Sequence, residues 1–128
     1  MEAVNLKKGR SLNGVNRPAM IDDTLTKIET IIANSRMATE RKEELQGLMG
    51  ELKGELETLA DTHEPQAQSI AGFAKMSSHE ATKETVSEDL VKLSMTGLKM
   101  SAEGFEATHP QLARTINAIC IALSKAGI

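Results

Sequence analysis

The chain has 128 residues, a formal net charge of −3 and two aromatic residues, both phenylalanine. This length predicts a single domain with a modest core, which must be aliphatic. The charge argues against the basic face that nucleic-acid binding requires. The longest unbroken apolar run, residues 118–123, is much shorter than a membrane span. We therefore expect a protein that binds neither nucleic acid nor membranes.

Residues 1–19 carry four bases and one acid and have no apolar period. We expect them to form a disordered basic tail, followed by one helical domain over residues 20–128. An alternative is that Met20 is the natural start and that the tail precedes it. The first residues lack the apolar segment of a secretion signal, so we expect a cytoplasmic location.

The next 40 or so residues predict two helices. The first spans about residues 23–34, and the second spans about 40–61 with one strongly apolar face. A break near residues 35–39 is favoured, although a seven-residue apolar spacing also permits one long helix over 23–61. Three glycines of the second helix suggest close approach of another helix, unless they are merely tolerated. They are Gly47, Gly50 and Gly54.

Pro65 suits the first turn of a third helix. Further on, Thr85 and Glu88 have the spacing of a capping box for a fourth. This fourth helix has two apolar stripes, which predict contacts on two sides. The first stripe contains Val91, Met95, Leu98, Ala102 and Phe105, and the second contains Leu93, Gly97, Met100 and Gly104.

Pro110 predicts that the preceding helix ends near residues 107–108 and that a last helix starts at Pro110, capped by Thr108 or His109. Gly127 fits the left-handed position after that helix. The predicted fold is all-α, with four or five helices in an elongated antiparallel hairpin or bundle and the C-terminal helix packed across it. The residues predicted to form the core or an interface are Leu98, Phe105, Leu112, Ile116, Ile119 and Leu123.

The closing stretch also resembles a known family. The string Phe105-Glu106-Ala107-Thr108-His109-Pro110-x-Leu112, followed by Asn117 and the final Gly127-Ile128, is similar to the end of a family of short, uncharacterised bacterial helical proteins. Residues 69–74 and 79–82 resemble the same family. The resemblance covers about residues 20–128. It implies a bacterial origin and a helical fold, and it implies no catalytic residues or cofactor.

Three residues are candidates for chemistry. Glu106 and His109 have the Glu-x-x-His spacing of carboxylate-bridged metal bundles, but a second pair would have to come from a symmetric dimer. His79 is the nearest candidate for a phospho-relay histidine, by analogy of fold alone.

The single cysteine, Cys120, lies in the apolar run, so we expect a buried thiol and a reducing compartment. No cofactor is expected.

The primary hypothesis is therefore a non-enzymatic helical interaction or scaffold protein that self-associates, most simply as a dimer. Its basis is the excess of apolar surface, namely the run at 118–123 and the two stripes of the fourth helix. An unknown protein partner is the other possibility. The identity of such a partner does not follow from the residues.

Overall fold

The computed structural model describes residues 12–126, with side chains described from Met20 onward. Within this range it contains four helices and no strand, which confirms the all-α prediction. They are α1 (Leu12–Ala33), α2 (Thr39–Ala81), α3 (Glu88–Ser101) and α4 (Pro110–Ala126). The predicted break after the first helix is also confirmed, because residues 34–38 are not helical.

α1 is longer than the sequence predicts. It begins at Leu12 and runs through Pro18, so residues 12–19, which the sequence placed in the tail, form part of this helix. Gly14 and Pro18 disfavour a helix without forbidding it, and extending an existing helix is much easier than starting one. The predicted tail residues 1–11 lie outside the described residues.

α2 consists of two arms that meet at His63, whose dihedral angles (φ −138°, ψ 58°) are not helical. Arg36, just before α2, lies 2.7 Å from Glu84, just after it, measured between guanidinium and carboxylate. A straight helix of 43 residues would separate these ends by about 64 Å. The chain must therefore reverse its direction at His63, so that residues 64–81 run back along residues 39–62. Pro65 starts the second arm, as predicted.

α1 lies against both arms of α2. It is antiparallel to the first arm, where the Gln46 side chain donates to the carbonyl of Glu29 and Lys42 donates to that of Ala33, both at 2.9 Å. It is parallel to the second arm, where Gln68 lies beside Met20. Among the described helices, α1 packs only on α2.

α3 differs from the prediction at both ends. Its N-cap is Ser87, whose hydroxyl accepts from the amide of Leu90, so Thr85 and Glu88 do not form a capping box. The helix ends at Ser101, well before residue 107, because the chain turns through Gly104, which has a φ of +93°. This left-handed conformation suits glycine and ends the helix.

The three glycines of the first α2 arm do not mark a close helix contact. All three are exposed, and a Cβ atom added at any of them would have no neighbour within 4 Å. The expectation of close packing at these positions was wrong, since the glycines lie on the face opposite the apolar one. The buried face of this arm contains Leu45, Met49, Leu52, Leu56 and Leu59.

α4 supplies the largest apolar face per residue and packs on α2 and, to a smaller extent, on α3. It begins at Pro110, and the carbonyl of His109 accepts the first bond, from Ala113. Lys125 lies in its last turn, where a cation suits the helix dipole. The predicted stop at Gly127 lies outside the described residues. The buried residues of α4 are Leu112, Thr115, Ile116, Ile119, Cys120, Ala122 and Leu123.

Candidate interaction surface

α3 differs from an ordinary surface helix, which buries apolar side chains and exposes polar ones. On the side facing the bundle it buries Ser94, which is 2% exposed, between Val91 and Leu98. On the outer side it exposes Leu90, Leu93 and Met100, with exposed fractions of 43%, 67% and 60%. Together with Gly97, these three residues follow a spacing of three, four and three, so they form one stripe. We call it the outer stripe of α3.

The outer stripe borders a groove between α3 and the second arm of α2. This α2–α3 groove has a volume of about 480 Å³ and is open to solvent. Its floor is largely apolar, with Phe73 on one side and Met100 on the other. The residues that line it are Pro65, Gln66, Ser69, Phe73, Gly97, Met100 and Ser101.

The groove depends on Gly97. A Cβ atom at this position would lie 2.4 Å from Cε1 of Phe73, which is closer than two carbon atoms can approach. Glycine therefore lets the Phe73 ring lie directly against the backbone of α3. The ring is partly buried against the core, so it closes the space between the helices and leaves the groove above it.

Two further exposed apolar side chains differ in where they lie relative to this groove. Met76, 50% exposed, lies one turn beyond Phe73 on the same side of its arm and extends the apolar surface. Ile121, also 50% exposed, lies on the face of α4 that points away from the core. Single exposed apolar residues are common on monomers, whereas a contiguous group beside a groove is typical of an interaction site.

The reversal of α2 and the corner between α3 and α4 meet in a cluster of three rings. Phe105 makes edge-to-face contacts with His63, at a ring-centroid distance of 5.1 Å, and with His109, at 5.7 Å. Each imidazole Nδ1 shares a hydrogen bond with the threonine before it, Thr62 or Thr108. The cluster therefore packs the turn between α3 and α4 against the reversal of α2 at His63. His109 serves there as a packing residue.

The structure does not assemble a metal site around Glu106 and His109 from the described residues. The Glu106 carboxylate is exposed and accepts from the amide of Gly104 at 3.0 Å. No group of three or more His, Cys, Asp or Glu side chains placed to hold a metal ion exists in the described part of the chain. A site completed by a second copy remains a prediction.

His79 and Cys120 occupy very different surroundings. His79 is exposed in the last turn of α2, and its role in a phospho-relay remains a prediction. Cys120 is buried and free. Burial raises the pKa of its thiol above the ordinary 9.0, and the nearby Lys99 opposes this effect. The thiol is therefore a poor nucleophile at neutral pH.

The predicted core or interface residues are found mainly in the core. Leu98, Leu112, Ile116, Ile119 and Leu123 are buried, and Phe105 is partly buried in the ring cluster. Within the run 118–123 only Ile121 is exposed, so packing within the chain covers the rest. That run therefore gives no reason to invoke a second chain.

The sequence found the outer stripe only in part. It identified Leu93, Gly97 and Met100, but it included Gly104, which lies beyond the helix, and missed Leu90. Phe73 is partly buried against the core and also lines the groove. The helical spacing from Leu90 to Met100 could have identified Leu90 as a member of the stripe. The groove could not be predicted in this way, because it depends on which helices become neighbours.

None of the described helices has the combination of length and apolarity needed to cross a membrane. Comparison with known proteins found no matching family model, no similar curated protein and no similar solved structure. The resemblance of the C-terminal stretch to the bacterial helical family therefore remains a prediction.

Proposed function

We propose that this chain is a non-enzymatic helical interaction protein that forms a homodimer through the outer stripe of α3 and the α2–α3 groove. The observation that carries the proposal is the distribution on α3, which buries Ser94 and exposes Leu90, Leu93 and Met100. Each of these large side chains gains about 1.5–3 kcal/mol when it is fully removed from water. A covered outer stripe is therefore more stable than an exposed one.

A second copy fits this surface because stripe and groove lie side by side on the same face. In a twofold dimer the same patch occurs on both subunits, so the stripe of one can enter the groove of the other. The open apolar groove is of the kind that accepts the apolar face of a helix. The uncharged lining of the groove also leaves no buried charge without a partner.

We also propose a cytoplasmic location, supported by the single, free and buried Cys120. A bacterial origin is proposed on the family resemblance alone. In this proposal the chain needs neither a metal nor a cofactor.

Sedimentation over a wide range of protein concentration tests the proposed dimer. We expect the wild-type chain to associate reversibly, and we expect Leu93→Ser to weaken this association by about tenfold or more, since it removes a large exposed apolar side chain from the stripe. Ile121→Ser is the matched control, because it makes a similar change at a similarly exposed helix position outside the surface. It should leave association unchanged. A wild-type chain that remains monomeric at high concentration would contradict the proposal, as would equal effects of the two substitutions.

A further inference from the structure

α3 is held to the bundle by few apolar side chains. Of its 14 residues only Val91, Ser94 and Leu98 are buried, whereas α4 buries seven of its 17. α3 lies mainly against α2 and has a small contact with α4. Helices with little buried apolar surface open at a lower free energy than the rest of a fold.

The hydroxyl groups between α2 and α3 do not join the two helices. Ser77 donates to the carbonyl of Phe73 at 2.8 Å, Ser94 to that of Val91 at 3.0 Å, and Ser101 to that of Leu98 at 2.7 Å. Each bond lies within its own helix. Separating α3 from α2 therefore breaks none of them, and water then solvates the hydroxyls of Ser77 and Ser94, which the closed state had buried.

Both ends of α3 adjoin segments that can change direction. Residues 82–87 and 102–104 are turns and bends without regular helix, whereas the ring cluster holds the chain from Phe105 onward. The second contains Gly104, which already has a φ of +93°, and glycine adopts many backbone conformations at low cost. Such segments absorb the dihedral changes of hinge motions.

We infer that α3 is a detachable helix, which opens from the bundle as a unit while α1, α2 and α4 remain folded. Opening exposes the inner face of α3 together with Phe73 and Ser77 on the second arm of α2. It is a conformational change within one chain and does not depend on the proposed dimer. A partner that binds either inner face would select the open state.

Native-state amide hydrogen exchange tests this inference, at a protein concentration where the chain is monomeric. We expect the amides of residues 92–101 to exchange at least about tenfold faster than those of residues 114–123 in α4, because a detached helix of 14 residues is only marginally stable in water and unfolds, which breaks its amide hydrogen bonds without global unfolding. Equal protection of α3 and α4 would overturn the inference. Because the comparison uses the wild-type chain as a monomer, its failure is separate from failure of the dimer.

Two serine substitutions then distinguish local from global opening. Ser94→Ala should slow exchange in α3 by roughly threefold or more, because it removes the hydroxyl that water solvates on opening and improves helix propensity. Exchange in α4 should not change. Ser78→Ala is the control, since Ser78 is also buried and bonds its own helix, at Ala74, within α2. It should leave exchange in α3 unchanged. If both substitutions slow α3 and α4 to the same extent, α3 does not open separately.

Discussion

The lack of a side chain at Gly97 decides how closely α3 approaches the second arm of α2. We expect Gly97→Ala to lower the free energy of unfolding by about 1–2 kcal/mol, since the new Cβ must displace the Phe73 ring. Alanine otherwise favours a helix by up to about 1 kcal/mol. Gly50→Ala, where a Cβ meets nothing within 4 Å, should therefore be stabilising. Urea unfolding of both variants measures the difference. A stabilised Gly97→Ala variant would show that the ring moves freely.

Glu57 and Asp22 meet where α1 contacts the first arm of α2. The pKa of Glu57 is raised above the ordinary 4.5, first by a hydrogen bond with Asp22, then by burial and by the negative charge of Asp22, while Lys53 opposes the shift. The folded state therefore binds this proton more tightly than the unfolded state does. Stability from this group is gained as the pH falls through the raised pKa and is lost as the pH rises through it.

The raised pKa of Glu57 predicts how the substitution Glu57→Gln changes the free energy of unfolding. At pH 7 the variant should be more stable than the wild type, but by less than about 1 kcal/mol, because the pair is largely exposed. At pH 4 the advantage should be largely lost, since this pH lies below the ordinary pKa of 4.5 and Glu57 is then mostly protonated in both states. Urea unfolding of the variant and the wild type at the two pH values measures this difference in stability. Glu51→Gln removes the same charge at another exposed position of the arm and should show a smaller change with pH. An advantage that persists at pH 4 would exclude the carboxylate pair as its cause.

The reversal at His63 is the feature of α2 that shapes the fold. Spin labels on Arg36→Cys and Glu84→Cys should lie within about 25 Å of each other, including their linkers, whereas a straight helix would place them about 64 Å apart. Both side chains are exposed, and the buried Cys120 should remain unlabelled. Labels on Glu40→Cys and Asp61→Cys provide the control. They span one arm and should give about 32 Å in either arrangement. A long distance between positions 36 and 84 would contradict the reversal.

At the scale of the whole molecule, the described residues bury a core without a partner, to which all four helices contribute. The proposed dimer is therefore not required for folding. Substitutions on the outer stripe should change association and leave the fold intact.

The core around α4 also concerns the stability of the whole molecule. Ile116 is 3% exposed, and Ile116→Asp places a carboxylate in the apolar core, which should cost about 4 kcal/mol or more and unfold the chain. His109→Ala removes one ring from the cluster at the corner and should cost only about 1 kcal/mol. Circular dichroism with urea unfolding measures both. A folded Ile116→Asp variant of normal stability would show that the core lies elsewhere.

The sequence by itself determined that the chain is helical and which faces of the first arm of α2 and of α4 are buried. The apolar period of three and four residues predicted the buried faces at Leu45 and Ile116, since a helix can bury only residues that recur with its own turn. Pro65 and Pro110 also marked helix starts correctly, because proline fixes φ and lacks an amide hydrogen.

Only the tertiary structure decided which helices are neighbours. The reversal at His63 places the second arm of α2 between α1 and α3, and this arrangement brings Phe73 onto Gly97. The first stripe of α3 then faces the bundle, and Leu90, Leu93 and Met100 of the outer stripe face solvent. Local periodicity could not choose between the two stripes, because both satisfy the same helical spacing. Their burial depends on contacts between residues far apart in the chain.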